Sequence, residues 1–332
     1  MTSARDDTAR RHAVPPSPGP ADGWHDDLLG PGFEARALPL PGGAEATLVR
    51  HTPSVAPGGA PARVAVLAVH GFADYFFHPH VARAFAAAGH AFYAVDLRGH
   101  GRSWDSHVAA GGDPNLVPDV AVYAQDLDAA AAEIRGAGHD RLVVLGHSTG
   151  GLIAPLWAAA RAGRADALVL NSPWFQHHAG LPLRWAAAAL AEVLAPVAPR
   201  AVVSHLGDDY ARALHLDHGG EWSFDPAWKP HAPFPVRVAW FRSVRRAQRR
   251  LARGLDLEIP VLVLTSDRTT ASEHLTSDTV LDVAHMRAIA PRLGDDVNLM
   301  TIAGGAHDLS LSRSPAREEF LQAVVEWVDA SV

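Results

Sequence analysis

The sequence contains no cysteine. That removes disulfides, thiolate metal sites and a cysteine nucleophile together. It also lacks a positive excess: 29 Lys and Arg stand against 36 Asp and Glu, a formal net charge of -7, whereas a nucleic-acid partner requires a basic surface. No uninterrupted apolar run reaches the ~18 residues of a membrane span. The nearest, LRWAAAALAEVLAPVA from Leu183 to Ala198, is broken by Glu192 and Pro196. The N-terminal stretch MTSARDDTARRHAVPPSPGP is charged and proline-rich, without the apolar centre of a signal peptide. Residues 1–25 therefore read as a flexible leader, and the protein reads as cytoplasmic.

What is present is an ordinary globular composition, 48% hydrophobic and 20% charged over 332 residues, enough for one large core with a smaller appended unit. Short apolar runs recur between Ala-rich segments of helix length. VAVLAVH (Val64–His70), AFYAVD (Ala91–Asp96), LVVLGHS (Leu142–Ser148), LVLNSP (Leu168–Pro173), VLVLTS (Val261–Ser266) and NLMTIAG (Asn298–Gly304) are apolar on nearly every residue. Such runs suit strands covered on both faces, as in a mostly parallel sheet under helices. The last helix is expected after Ser314 as N-cap and Pro315 at the first position. Between about Gln176 and Glu258 the alternation stops and Trp, His, Pro and Arg become dense, with helices expected over Leu183–Leu194 and Arg237–Leu251. An insertion there lies above the C-terminal strand ends, where open α/β sheets bind ligands. The domain reading is thus a core over 26–175 and 259–332, with a cap over 176–258.

LVVLGHSTGG sets Gly146, His147, Ser148, Thr149 and Gly150 at a strand-to-helix junction as G-x-S-x-G. Glycines two positions either side of the serine allow a sharp turn that exposes the hydroxyl, and the Thr149 N–H points to the same spot. The helix N-terminus adds a dipole favourable to developing negative charge. Ser148 is the candidate nucleophile. A serine needs a neighbouring base, and among 20 histidines His307 follows the last strand through a Gly-Gly turn, in IAGGAHDLS. A second oxyanion donor is expected where VAVLAVHGF ends a strand, at the N–H of Phe72. His70, Gly71, His147, Trp174 and Phe175 are the candidate substrate contacts. The pairs His78/His80 and His177/His178 lack a metal-ligand pattern, and the HGG at His218–Gly220 has no strand before it.

HGF, then DLRGHGRS (Asp96–Ser103), then GHSTGG, then GGAHD, in this order, resemble the α/β-hydrolase superfamily. More narrowly they resemble the monoacylglycerol lipase, lysophospholipase and S33-type serine hydrolase group, over roughly residues 40 to 332. The resemblance implies a Ser–acid–His order with Ser148 as nucleophile and His307 as general base. It further implies oxyanion donors at Phe72 and Thr149, a helical cap after the sixth strand, and no metal or organic cofactor.

The acid must come from TSDRTTASEHLTSDTVLD, which holds Asp267, Glu273, Asp278 and Asp282. Proximity to the strand end favours Asp267. The family pattern, an acid, a small residue, an aliphatic and then a helix, favours Asp278, with SDRTTASEHLT inserted before it. Asp282 suits a helix cap. The cap segment supplies aromatic surface at Trp174, Phe175, Trp185, Trp222, Phe224, Trp228 and Trp240. Six arginines, at 242, 245, 246, 249, 250 and 253, crowd one helix, either as a solvated face or as a weak membrane-surface contact. The expected activity is hydrolysis of small-molecule acyl esters, with amide hydrolysis and non-catalytic ligand binding as the rivals. Oligomeric state is not legible.

Overall fold

The computed structural model describes residues 23–52, 61–176, 189–232 and 234–332. The apolar runs become strands of a nine-stranded sheet in the order β1-β2-β3-β5-β4-β6-β7-β10-β11. These are β1 (His25–Asp26), β2 (Phe33–Pro39), β3 (Glu45–His51), β4 (Val64–Val69), β5 (Ala91–Asp96), β6 (Arg141–His147), β7 (Ala167–Asn171), β10 (Val261–Ser266) and β11 (Val297–Ile302). The pairings from β5 through β4, β6, β7 and β10 to β11 are parallel, while β1, β2 and β3 add on antiparallel.

Each face of the sheet has its own apolar core. On one side Leu67, Val144 and Leu170 pack with α3 (Tyr123–Gly136) and α4 (Thr149–Ala160). On the other, Val66, Val143 and Val169 pack with α1 (Pro79–Ala87) and α8 (Ala316–Ser331), and a short helix α2 (Trp104–Ala109) follows β5. Two-sided burial explains why the strands read as continuous apolar runs. The exception is β11, an edge strand whose Leu299 and Met300 are exposed. Helix α8 starts at Ala316, one residue later than expected, with Pro315 in the cap position.

Between β7 and β10 the chain leaves the sheet. Residues 189–194 are helical, followed by β8 (Val202–Leu206), α5 (Asp209–Leu214), β9 (Phe234–Arg237) and α6 (Val238–Leu251). The expectation of a purely helical insertion needs correction, since β8 and β9 form an antiparallel pair. Four- and five-residue runs such as FPVR and VVSHL carry too little periodicity to read as strands. The strand before the insertion is β7, the seventh when the two-residue β1 is counted and the sixth without it. Residues 1–22 and 177–188, including His177, His178 and Trp185, lie outside the described residues, and His25–Asp26 already pair with β2. Among the described residues no helix is long and apolar enough to cross a membrane.

Candidate active site

Ser148 occupies the turn between β6 and α4 with φ 51° and ψ -109°, a conformation that L-residues rarely adopt and that sharp functional turns impose. The flanking glycines are required sterically. A Cβ on Gly150 would lie 2.2 Å from the Val69 carbonyl oxygen, and one on Gly146 would lie 2.6 Å from that of Gly150. The turn is held from both sides: the Ser148 N–H donates to the Asn171 carbonyl (3.1 Å) and the Trp174 N–H to the Ser148 carbonyl (2.9 Å).

His307 follows β11 through Gly304, at φ 68°. Its Nε2 lies 3.1 Å from Ser148 Oγ and its Nδ1 lies 2.9 Å from Asp278 Oδ2. A carboxylate only accepts, so Nδ1 carries the proton and Nε2 is free to accept from the serine hydroxyl. Asp278 is fully buried, and its Oδ1 accepts the N–H groups of Val280 (2.9 Å) and Leu281 (2.7 Å). The ten residues between Asp267 and Asp278 return on themselves: Asp278 N–H donates to the Arg268 carbonyl and Thr270 N–H to the Asp278 carbonyl. That neck brings Asp278 back to the end of β10.

The other three acids have different partners. Asp267 Oδ1 accepts the Gly304 N–H at 3.0 Å and Oδ2 pairs with Arg268 at 3.0 Å. Burial would raise the Asp267 carboxyl, but these donors outweigh it and hold it below its ordinary range. Glu273 pairs with Arg268 on its second nitrogen, at 2.6 Å. Asp282 caps α7 (Val283–Ile289) by accepting from Ala284 and His285.

A cavity of about 320 Å³ opens at Ser148, and Gly71, Phe72, His147, Thr149, Trp174 and His307 line it. Among the described residues the amides of Phe72 and Thr149 donate to no partner. A Cβ on Gly71 would come within 3.3 Å of Ser148 Cβ, so the loop approaches the serine closely because it carries no side chain there. The motif beginning at Asp96 anchors that loop: Asp96 accepts the Phe76 N–H (2.9 Å) and pairs with Arg102 (2.7 Å). Trp240 of α6 stacks on the Phe72 ring at 4.1 Å.

Two expected substrate contacts do not reach the cavity. His70 is turned inward: its Nε2 accepts the Leu97 N–H (3.0 Å) and its Nδ1–H donates to the Gly71 carbonyl (2.7 Å). Phe175 is buried in the core beside α4. His70 directly follows β4, while Phe175 lies four residues beyond β7, past Ser172 at φ 45°, and the local backbone turns each away from the cavity. His147 does line the cavity, and burial pushes its imidazole down to about 4, with Asp308 opposing. His78 lies 3.3 Å from Asp308, and His80 donates its Nε2–H to the Ser310 carbonyl at 2.8 Å while stacking on Trp222. Among the described residues no group of three His, Asp or Glu side chains has metal-binding geometry.

Sequence reasoning missed three polar residues at the cavity wall. Lys229, from the inserted segment, pairs with Asp74 at 2.8 Å, both buried. Burial would raise the Asp74 carboxyl, but the ammonium outweighs it and holds it low. Tyr210 of α5 accepts the Asp308 N–H (2.8 Å) and meets the His307 ring edge-on at 5.6 Å. One signal was available, since Lys229 is the only lysine in the sequence.

The serine aminopeptidase, S33 family model matches residues 60–313. The monoacylglycerol lipase of Mycolicibacterium smegmatis is 31% identical over 283 residues, covering 83% of this chain and 90% of that protein. Among solved structures, the monoacylglycerol lipase of Paleococcus ferrophilus superposes with a TM-score of 0.63 at 22% identity, covering 82% of this chain and 96% of its own. A thermostable carboxyl esterase from Bacillus coagulans, in complex with glycerol, reaches 0.65 at 16% identity, covering 90% and 99%. At those identities the two structures speak for the fold, which is that of the α/β-hydrolases. The family match and the curated relative reach further, and on both the chain belongs to the serine aminopeptidase, S33 family of α/β-hydrolases.

Proposed function

We propose that the protein is a carboxylic ester hydrolase that works through an acyl-enzyme on Ser148. The observation that carries this reading is the continuous line of contacts from Ser148 Oγ to His307 Nε2 (3.1 Å) and from His307 Nδ1 to Asp278 Oδ2 (2.9 Å), at the floor of an apolar cavity. His307 Nε2 takes the serine proton as Oγ attacks the ester carbonyl. Asp278 holds Nδ1–H and stabilises the imidazolium that forms. The N–H groups of Phe72 and Thr149 receive the oxyanion, each such donor contributing about 3–4 kcal/mol to transition-state stabilisation. His307 returns the proton to the leaving alcohol, then activates water to release the acid.

The substrate class follows from the wall. Apolar side chains at Phe72, Trp174, Leu206 and Phe234 suit an acyl chain, and the Asp74–Lys229 pair and Tyr210 suit a polar alcohol part. Monoacylglycerols, lysophospholipids and small acyl esters share this build. The relatives named as monoacylglycerol lipases agree with it. An aminopeptidase must neutralise its substrate's ammonium, yet Asp74, the carboxylate on this wall, is already paired with Lys229. The segment between β7 and β10 acts in this reading as a cap over the acyl pocket.

The test is fluorophosphonate labelling of the folded protein, with peptide mapping, beside turnover of p-nitrophenyl esters of graded length and aminoacyl anilides. Labelling confined to Ser148 and ester turnover that rises with chain length are expected. Absence of label at Ser148, or anilides cleaved faster than esters, overturns the reading.

A further inference from the structure

A second groove of about 440 Å³ borders α6 and shares no lining residue with the cavity at Ser148. This is within the size range of small-ligand sites. Its floor is apolar: Ile153, Leu156 and Trp157 come from α4, Val120 from the turn before α3, and Ala247 from α6. Four charged side chains rim it. Asp119 spends a carboxylate oxygen on the Ala121 N–H (3.0 Å). Arg161 is paired with Asp128 (3.0 Å) and Arg246 with Glu192 (2.7 Å). Arg250 donates to the Gly254 carbonyl (2.7 Å), and among the described residues no ion pair engages it.

The charge around this rim is unbalanced. Glu192 is one carboxylate shared by three guanidinium groups, those of Arg242, Arg246 and Arg249, at 2.6, 2.7 and 3.0 Å. Three positive charges against one leave two in excess on α6, carried by Arg242 and Arg249 next to the groove lining, while on the rim itself Asp119 stands against Arg250; the formal net charge of the protein is -7. A cationic rim over an apolar floor is complementary to one kind of molecule: a single alkyl chain ending in an anion. Arginine suits the head, because its planar fork meets both oxygens of a carboxylate.

From the juxtaposition of this apolar floor with Arg250 and the arginine-rich face of α6, we propose that the groove is a binding site for a monomeric long-chain carboxylate. The alkyl chain lies along Leu156, Trp157 and Ala247, and the head group meets Arg250. The site is separate from the cavity at Ser148, so its occupancy does not depend on ester hydrolysis.

The test uses the full-length protein and laurate, with dodecanol as the uncharged analogue, in titration calorimetry without turnover. A laurate analogue carrying a terminal diazirine is then photolysed and its adducts mapped. Expected are adducts on the α4 and α6 peptides that contain Trp157 and Ala247, and laurate bound at least ~10-fold tighter than dodecanol. Arg250→Glu should weaken laurate by at least ~10-fold, while Arg250→Lys, which keeps the charge but loses the fork, should fall between the parent and Arg250→Glu. Arg250 is exposed, so these variants do not endanger folding, and Ala247→Trp should block the groove by filling it. Adducts confined to the Ser148 cavity, an unchanged Kd in Arg250→Glu, or binding seen only with anionic vesicles would overturn the proposal.

Discussion

Replacing Asp278 by Asn tests the site most sharply, because the surroundings of the carboxylate dictate how the amide must sit. Asp278 Oδ1 accepts two backbone N–H groups, from Val280 and Leu281, at 2.9 and 2.7 Å. An asparagine in this buried place keeps its carbonyl oxygen toward them, since an NH₂ facing two donors would leave all of them unsatisfied. Its NH₂ then faces His307 Nδ1, where the carboxylate oxygen lay at 2.9 Å. The imidazole must accept there, so its proton moves to Nε2 and points at Ser148 Oγ. The base is lost although the geometry survives. Losses of about 10⁴ in kcat accompany this change in serine triads, equivalent to about 5.5 kcal/mol at 1.36 kcal/mol per decade. Asp267→Asn removes only a half-exposed ion pair with Arg268, since its amide oxygen still accepts the Gly304 N–H, and kcat should stay within about threefold. The assay is p-nitrophenyl ester turnover with thermal unfolding as the control for folding. A stable Asp278→Asn protein within tenfold of the parent, or an Asp267→Asn protein reduced by orders of magnitude, refutes the assignment.

Other outcomes follow from the same geometry. Lys229→Ala strands the buried Asp74 carboxylate, and urea unfolding should record a loss of about 3–5 kcal/mol; a loss under ~1 kcal/mol contradicts the pairing argument. His80 and His147 are each pushed down to about 4 by burial. Their unfolded counterparts protonate near 6.5, so the stability they contribute is present above that pH and falls away toward pH 4, by about 2 kcal/mol each at pH 5. His80→Gln should flatten the decline of Tm between pH 6.5 and 5, and an unchanged slope counts against it. Trp240→Ala removes the ring stacked on Phe72 at 4.1 Å, and loosening that oxyanion loop should lower kcat about tenfold with little change in KM. A change confined to KM would place Trp240 in substrate binding instead.

Much of the architecture was written locally. Strands buried on both faces must be apolar throughout, so β4, β5, β6, β7 and β10 stood out as runs. The turn at Ser148 needs glycines at 146 and 150 because a Cβ at either would collide with backbone, and that requirement is visible as G-x-S-x-G. The pairing of β8 with β9 left no such trace, since four or five half-exposed residues carry little periodicity. His70 and Phe175 illustrate another limit. Each stands next to site residues in the chain, yet His70 turns inward to the Leu97 N–H and Phe175 packs in the core.

The four acids of TSDRTTASEHLTSDTVLD divide along the same line. The sequence by itself determined that an acid had to come from this segment, because it follows the strand that ends beside the serine turn, and a pattern shared with a family favoured Asp278. Which carboxylate meets His307 was decided only by tertiary structure. The backbone bridge between Arg268 and Asp278 folds the intervening residues back and returns Asp278 to the strand end, while Asp267, adjacent in sequence to that strand, is drawn toward Gly304 and Arg268. The Asp74–Lys229 pair has the same origin. Its partners are 155 positions apart, and only the packing of the inserted segment against the sheet brings ammonium and carboxylate out of water together, where each is stable only beside the other.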